Sequence, residues 1–322
     1  MINIVKLFIF IPFFTFTQFN ENELMKYIDT KIIIDSLANE NKVNKKQLLH
    51  YYSSIENNIL FSRKDYLNQA VVYLDEKEYK NAEKSLEQCL KYQPRLFNLS
   101  DSLQIRNSAF YKKFEPNGLL DRLMDSLISN TKEYSSYRSH SDTSIHVFYE
   151  TLYQHDQFMR SNDVQIKSLI SLKYWEIVES DLFKMQNKFD SINRIELQNF
   201  TNDLKNIDFY HLDESDKYTL FLVGQHSDFD LDFQKRILDI FFNNYHTGSI
   251  KLENLVYLID RYLLNTKGYQ LFGSQFEFFD KKIVSKNLLY PISKVNQMRK
   301  IASLPSLESY LIDADNLIDE KK

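Results

Sequence analysis

Residues 64–94 have the sequence KDYLNQAVVYLDEKEYKNAEKSLEQCLKYQP, and this stretch decides the fold class. Its apolar and small residues recur every three or four positions in two groups, which are Tyr66, Ala70 and Tyr73, then Tyr79, Ala82, Leu86 and Cys89. This spacing predicts two amphipathic helices. The turn between them falls at Lys77 to Tyr79, and Pro94 closes the unit. We therefore predict a helical hairpin here.

The composition of the whole chain also favours helices. The 322 residues include only 5 Gly and 5 Pro, whereas β-turns and hairpins depend on these residues for their backbone angles. The core must draw on 25 Phe and 21 Tyr, since aromatic side chains bury large apolar areas. A formal net charge of −4 gives no basic field, so nucleic acid is not an expected partner. The single cysteine excludes an intrachain disulfide.

The hairpin at 64–94 resembles a single tetratricopeptide repeat, in which small residues let two helices approach closely. Ala70, Ala82 and Cys89 stand at the small positions. The resemblance implies a repeat at about 63–96, within a helical region at 18–135. A lone repeat cannot bury both of its faces, so it would contact a protein partner or cover the rest of the chain. An unrelated helical hairpin is the alternative.

The first 17 residues have the features of an export signal. Lys6 is the only charged side chain before the apolar run from Leu7 to Phe16, and Thr15 and Thr17 stand two residues apart at its end. The run is shorter than the roughly 20 residues that span a bilayer. We predict a signal peptide cleaved after Thr17 and a periplasmic or secreted protein, with no membrane segment left after cleavage. An uncleaved anchor and a buried terminal helix are the alternatives.

Two stretches in the middle of the chain indicate its organisation. Residues 131–143 are rich in serine and charge and lack an apolar period, so they predict a linker between two halves. Beyond the linker, apolar residues lie at helical spacing and predict one long amphipathic helix. They are Ile166, Ile170, Tyr174, Ile177, Val178, Leu182, Met185 and Phe189.

The C-terminal half contains a series of polar motifs set in apolar segments. These are FLVGQHSDFDLDFQKRILDIFF at 221–242, NLVYLIDRYLLNTKGYQLFGSQF at 254–276, YPI at 290–292 and LPSLESYL at 304–311. They resemble an uncharacterised family of bacterial domains that share Gln-His-x-Asp, Asp-Arg, Tyr-Gly-Thr-Gln and Pro motifs. LYQHDQFMR at 152–160 resembles the Asp-Gln-x-x-Arg segment with which such domains open. The resemblance spans about 145–315 and implies a helical domain, but no activity.

Four polar residues of these motifs form a candidate site. His226 and Asp228 follow one predicted helix, and Asp260 and Arg261 lie late in another. If the two helices pack side by side, these groups could bind a metal, transfer a proton or hold an anionic ligand. The alternative is a buried polar network that fixes the register of the helices. We expect His226 to bond to the carboxylate of Asp228 or Asp260.

Further polar residues complete the candidate site. They are Gln225, beside the histidine, and three residues of the predicted loop at 268–276, namely Gln270, Ser274 and Gln275. Alternatively, the loop amides satisfy local backbone groups. The segment 276–279 is expected to pair with 288–292 as the only β-structure. Asp230 and Ser249 are predicted to cap the helices that follow them.

The sequence thus predicts an all-α protein, with tetratricopeptide-like N-terminal helices and a helical C-terminal domain that contains one small β-hairpin. The leading function is binding or interaction, with a protein partner contacted through the tetratricopeptide-like helices, because the chain has no known catalytic motif. No cofactor or metal is expected under this interpretation. The alternative is a small hydrolase or metal-dependent enzyme centred on His226, Asp228 and Asp260.

Overall fold

The computed structural model describes residues 18–39, 44–58, 60–91, 143–169, 172–200, 209, 212–245, 250–279 and 282–319. Within these ranges it has eleven helices and one two-stranded sheet, which confirms the predicted fold class. The helices are α1 Glu21–Ala38, α2 Lys45–Ile55, α3 Arg63–Asp75, α4 Tyr79–Lys91, α5 Thr143–Leu169, α6 Leu172–Phe200, α7 Glu214–Gln225, α8 Leu231–Tyr245, α9 Leu252–Lys267, α10 Ile292–Ile301 and α11 Leu307–Asp319. The strands are β1 Phe276–Phe279 and β2 Lys282–Ser285. The predicted signal peptide and residues 131–142 of the predicted linker lie outside the described residues.

The predicted helical hairpin is present as α3 and α4. A capping box between Ser62 and Asp65 starts α3, because each side chain satisfies a backbone N–H of the other residue. Lys77 has a φ of 63° in the turn, and α4 begins at Tyr79. Ala70 and Ala82 are both fully buried, as two helices in close approach require. The hairpin's assignment as a tetratricopeptide repeat stays a prediction.

The long helix predicted around Ile166–Phe189 is instead two helices. α5 ends at Leu169 and α6 begins at Leu172, and the two pack against each other. The apolar period runs across this break without a Gly or Pro to mark it, so the sequence pattern hides the turn. Met185, expected on the buried stripe, is 46% exposed.

Helix α7 lies at the centre of the C-terminal half and packs against α5, α6, α8 and α9. Nine of its residues are buried, which is typical of a helix surrounded by others. Gly224 allows α8 to approach closely, because a Cβ at that position would lie 2.5 Å from Cγ2 of Ile237. The packing of α7 therefore determines the position of its C-terminal end and of the polar residues that follow it.

One predicted helix cap is confirmed and the other is wrong. The carboxylate of Asp230 accepts a hydrogen bond from the backbone N–H of Phe233 at 2.9 Å, at the start of α8. Ser249 lies outside the described residues, and α9 begins only at Leu252, so its N-cap residue is Lys251. α9 ends at Lys267, and its C-cap residue Gly268 has a φ of 78°, which lets its backbone N–H donate to the carbonyl groups of Leu263 and Leu264.

The predicted β-hairpin is present, but its second strand was misplaced. β1 pairs antiparallel with β2, and Phe276 lies opposite Ser285. The predicted partner, 288–292, instead contributes Leu288 to an isolated bridge with Gln270. Ile283 and Val284 are β-branched and follow β1 closely enough for a short hairpin loop.

One hydrophobic core joins the N-terminal helices to the C-terminal half. It contains Leu24 and Ile28 of α1, Tyr66 of α3, Leu255 of α9 and Met298 of α10. α1 also packs directly against α10. Among the described residues, no helix is long and apolar enough to cross a membrane.

Candidate functional site

His226 lies at the C-cap of α7, and its ring bonds to an aspartate that comes from another helix. Its Nδ1 atom lies 2.6 Å from Oδ1 of Asp156 on α5. The aspartate side chain is 1% exposed, whereas that of the histidine is 19% exposed. An ionised Asp156 places the proton on Nδ1, so a neutral ring presents Nε2 as an acceptor. No other residue in the described part of the chain bonds to that nitrogen.

Arg160 connects the same aspartate to α6. Its NH1 atom donates to Oδ1 of Asp156 at 2.9 Å, and its two terminal nitrogens bind the two carboxylate oxygens of Asp190 at 3.1 and 3.0 Å. Gln186 also donates to Asp190, at 2.8 Å. A planar guanidinium suits such paired geometry. We call His226, Asp156, Arg160, Asp190 and Gln186 the His226 cluster.

The His226 cluster has ligand atoms at metal-like spacing but already contains a cation. One atom each from Asp156, Asp190 and His226 lie within 4.8 Å of one another. The guanidinium of Arg160 bonds to both carboxylates, so the chain itself supplies the cation between them. The arrangement is therefore a paired polar network in which Nε2 of His226 has no bonding partner among the described residues.

A second cluster surrounds Asp228, which lies three positions after Gln225, the last residue of α7. Its carboxylate accepts from Nε of Arg261 at 2.8 Å and also from NH2 of that arginine. Asn265 donates to it at 2.7 Å, and Arg261 reaches Oε1 of Gln275 at 2.9 Å. Burial raises the pKa of Asp228, but the hydrogen bonds and charge of Arg261 outweigh burial and hold the pKa below its ordinary value. We call these four residues the Asp228 cluster.

Asp260 makes a third, separate arrangement at the centre of the loop that follows α9. Its carboxylate accepts from the backbone N–H groups of Leu271, Phe272 and Ser274 at 2.8, 3.0 and 2.8 Å. The residue is fully buried. Burial raises the pKa of Asp260, and the three backbone hydrogen bonds oppose that rise. The carboxylate therefore holds the loop in shape.

The loop side chains Gln270 and Ser274 bond mainly within the loop and to its neighbours. Gln270 donates to the backbone carbonyl of Gln275 at 2.7 Å and accepts from the backbone N–H of that residue at 2.8 Å. The hydroxyl of Ser274 accepts from the Gln275 amide at 3.2 Å. These contacts agree with the alternative stated from the sequence, in which the amides of the loop satisfy local backbone groups.

The polar residues described above lie in a segment that matches a protein-family model. Residues 151–319 match the model of a family of unknown function, DUF6624. The chain belongs to the DUF6624 family. The match agrees with the span of about 145–315 expected from the sequence resemblance. No curated protein and no solved structure matches the chain.

The DUF6624 domain brings only some of the predicted site residues together. Asp228, Arg261 and Gln275 share the Asp228 cluster. His226 does bond to a carboxylate, but the expected partners were wrong, because Asp156 takes that position while Asp228 and Asp260 bond elsewhere. Gln225 ends α7 and is nine-tenths buried, and within the described residues its Oε1 atom has no hydrogen-bond partner.

Four functional candidates were absent from the predicted site, namely Asp156, Arg160, Gln186 and Asp190. The first two lie in the family-like segment at 152–160, so that segment was a usable signal. They are four residues apart on α5, which places them on one face of the helix. Gln186 and Asp190 lie in α6, where no motif marked them.

A large cleft lies elsewhere, between the N-terminal helices and the DUF6624 domain. Its volume is about 1000 Å³. One wall is formed by α1, α2 and α3, with Ile34, Leu48 and Val71 among its residues, and the opposite wall includes Tyr245 and Ile301. None of the eight predicted site residues lines it. The concave surface and the polar clusters are thus separate features of the protein.

Proposed function

We propose that the protein is an exported binding protein whose ligand occupies the cleft between the N-terminal helices and the DUF6624 domain. The observation that carries this proposal is the cleft itself, because ligand sites are typically concave, mostly apolar and about 300–1,000 Å³ in volume. Apolar side chains line much of both walls, and ten charged or polar side chains, mostly Lys, Asp and Ser, lie among them. The proposal concerns binding and assigns no reaction.

The polar clusters support binding over catalysis. The carboxylates of Asp156, Asp228 and Asp260 are each engaged by two or more donors. Such networks fix how helices and loops meet. None of these carboxylates lines the cleft. The polar residues therefore stabilise the fold, and the cleft binds the ligand.

Native mass spectrometry of protein isolated from its own cell envelope tests this proposal. Val71 lines the cleft on α3, so Val71→Trp should fill part of the cleft and remove a co-purifying ligand. Val147→Trp is the matched control, because Val147 is 62% exposed on α5 and does not line the cleft. We expect a mass adduct on the wild type and the control only. The same adduct on all three proteins would contradict the proposal.

The mass of the same protein also tests export. We expect the chain to begin at Gln18, as the predicted cleavage after Thr17 requires. A chain from the envelope fraction that still begins at Met1 or Ile2 would contradict cleavage. The cleft proposal does not depend on this result.

A second candidate is a hydrolase or metal-dependent enzyme that uses His226. The observation in its favour is that Nε2 has no bonding partner among the described residues, while Nδ1 of the same ring is held by a nearly buried aspartate. A general base can have this arrangement. Metal analysis of the envelope protein would support a metal-dependent form if zinc were retained by the wild type and lost in His226→Asn. Equal metal content in both would count against it.

A protein partner at the α3–α4 hairpin also remains a proposal. The observation in its favour is Tyr79, which is 55% exposed at the start of α4. Large exposed aromatic side chains are enriched at protein interfaces.

A further inference from the structure

We propose that the cleft binds a single-chain anionic amphiphile, a long-chain carboxylate, with its head group at Lys251 and its chain along the apolar walls of the cleft. This inference rests on the proposed function and names the class of ligand. It follows from two observations, which are a polar side pocket with unpaired positive charge at one place on the cleft and an apolar wall at another.

The polar side pocket adjoins the cleft and has a volume of about 50 Å³. It shares Glu214, Ile250 and Lys251 with the cleft and adds the amide of Asn254. Lys217 also lines the pocket, and it is paired with Glu214 at 3.0 Å. Within the described residues, Lys251 has no carboxylate partner, so its charge is available to a ligand. An ammonium and an amide side by side suit a carboxylate head group.

Other charges in the cleft are mostly neutralised within the protein. Lys31 pairs with Asp65, and Lys300 pairs with Asp35 at 2.5 Å. Lys64 is exposed at the start of α3 and lines the cleft, again without a carboxylate partner in the described part of the chain. Two unpaired lysines leave the cleft with excess positive charge, which favours an anion over a cation.

The apolar recess lies beneath the cleft and has a volume of about 20 Å³. It shares Tyr27, Tyr245, Leu252, Ile301 and Ala302 with the cleft. Its remaining described lining is aliphatic or aromatic, and includes core residues of α1 and α9. The recess extends the apolar wall of the cleft, and a hydrocarbon chain lying along that wall leaves no polar group of its own unpaired.

Isothermal titration calorimetry on the full mature chain tests the ligand class, with sodium laurate and dodecyltrimethylammonium as probes of equal chain length and opposite charge. We expect one laurate to bind per chain and the cationic probe to bind at least tenfold more weakly.

Lys251→Gln should weaken laurate binding roughly tenfold, since hydrogen bonds to charged groups contribute about that much. Lys80→Gln is the control, because Lys80 is exposed on α4 and does not line the cleft. Val71→Trp should abolish laurate binding, and Val147→Trp should not.

The outcomes separate the ligand class from the proposed function. Equal affinity for the two probes, or equal losses in Lys251→Gln and Lys80→Gln, would overturn the anionic assignment. Failure to bind laurate overturns the ligand class. If Val71→Trp nevertheless removes the native mass adduct, the cleft proposal stands. Binding to phosphatidylglycerol vesicles without binding to laurate would overturn the single-chain assignment in favour of a membrane surface.

Discussion

At the scale of single residues, Asp260 shows how a buried charge can organise a loop. Three backbone N–H groups converge on its carboxylate and offset part of the cost of burying it, although burial still raises its pKa. The nearby Arg299 is also almost fully buried and donates to the backbone carbonyl of Phe272 at 2.7 Å. Both side chains therefore hydrogen-bond to the backbone of the same loop, Asp260 as the acceptor and Arg299 as the donor.

Asp260→Asn should destabilise the fold by about 1–3 kcal/mol, because one amide N–H₂ would face a backbone donor where an oxygen now accepts. Urea unfolding at neutral pH measures the loss. Asp313→Asn is the control, since Asp313 is exposed on α11 and should change stability by less than about 0.5 kcal/mol. Equal, small effects in both variants would show that the carboxylate does not hold the loop.

Asp228 predicts a dependence of stability on acid pH. Its pKa is lowered in the folded protein because the hydrogen bonds and charge of Arg261 outweigh the effect of burial. A group with a lowered folded pKa stabilises the fold above its unfolded pKa and loses that contribution as the pH falls through the folded value. The stability advantage of the wild type over Asp228→Asn should therefore shrink as the pH falls below about 4.

Urea unfolding of both proteins between neutral and acid pH measures this advantage. A difference that stays constant over the whole range would mean that the Asp228–Arg261 pair does not favour the ionised carboxylate.

The sequence identified important polar residues but not most of their partners. The separation of Asp156 and His226 by 70 positions in the chain cannot be bridged by any local pattern. The pairing depends on α5 lying beside α7, which is a tertiary arrangement. Asp228 and Arg261 were placed in one candidate site because each belongs to a family-like motif, but their pairing was not predicted.

At the scale of helices and strands, local chemistry predicted where elements begin more reliably than where they break. The turn near Lys77 and the N-cap at Asp230 were both evident from the sequence. The break between Leu169 and Leu172 was not, because the apolar period continues across it. The second strand was misplaced because the polar residues around Ile283 and Val284 concealed a short β-branched segment.

The α3–α4 hairpin provides the test at this scale. Ala82 is fully buried, whereas Glu83 is exposed. Ala82→Leu should cost about 1–3 kcal/mol through overpacking between the two helices, and Glu83→Leu should have little effect. Thermal unfolding of both variants checks this. Similar losses of stability would contradict the close approach of the helices and the repeat-like packing inferred from the sequence.

At the scale of the whole molecule, the N-terminal helices are attached to the DUF6624 domain by a set of specific contacts. The hydroxyl of Tyr269 donates to Glu21 at 2.9 Å, and Lys267 pairs with the same glutamate at 2.5 Å. The backbone N–H of Phe19 donates to Asp239. These contacts hold α1, which forms part of one wall of the cleft, against the DUF6624 domain.

The central claim is that this shared cleft is the ligand site. A crystal structure of the protein isolated from its native cells tests it most directly. We expect elongated electron density between α1, α3 and α10, with its polar end near Lys251. A cleft without ligand density, together with ligand density bound at Nε2 of His226, would contradict the account and favour the enzyme interpretation.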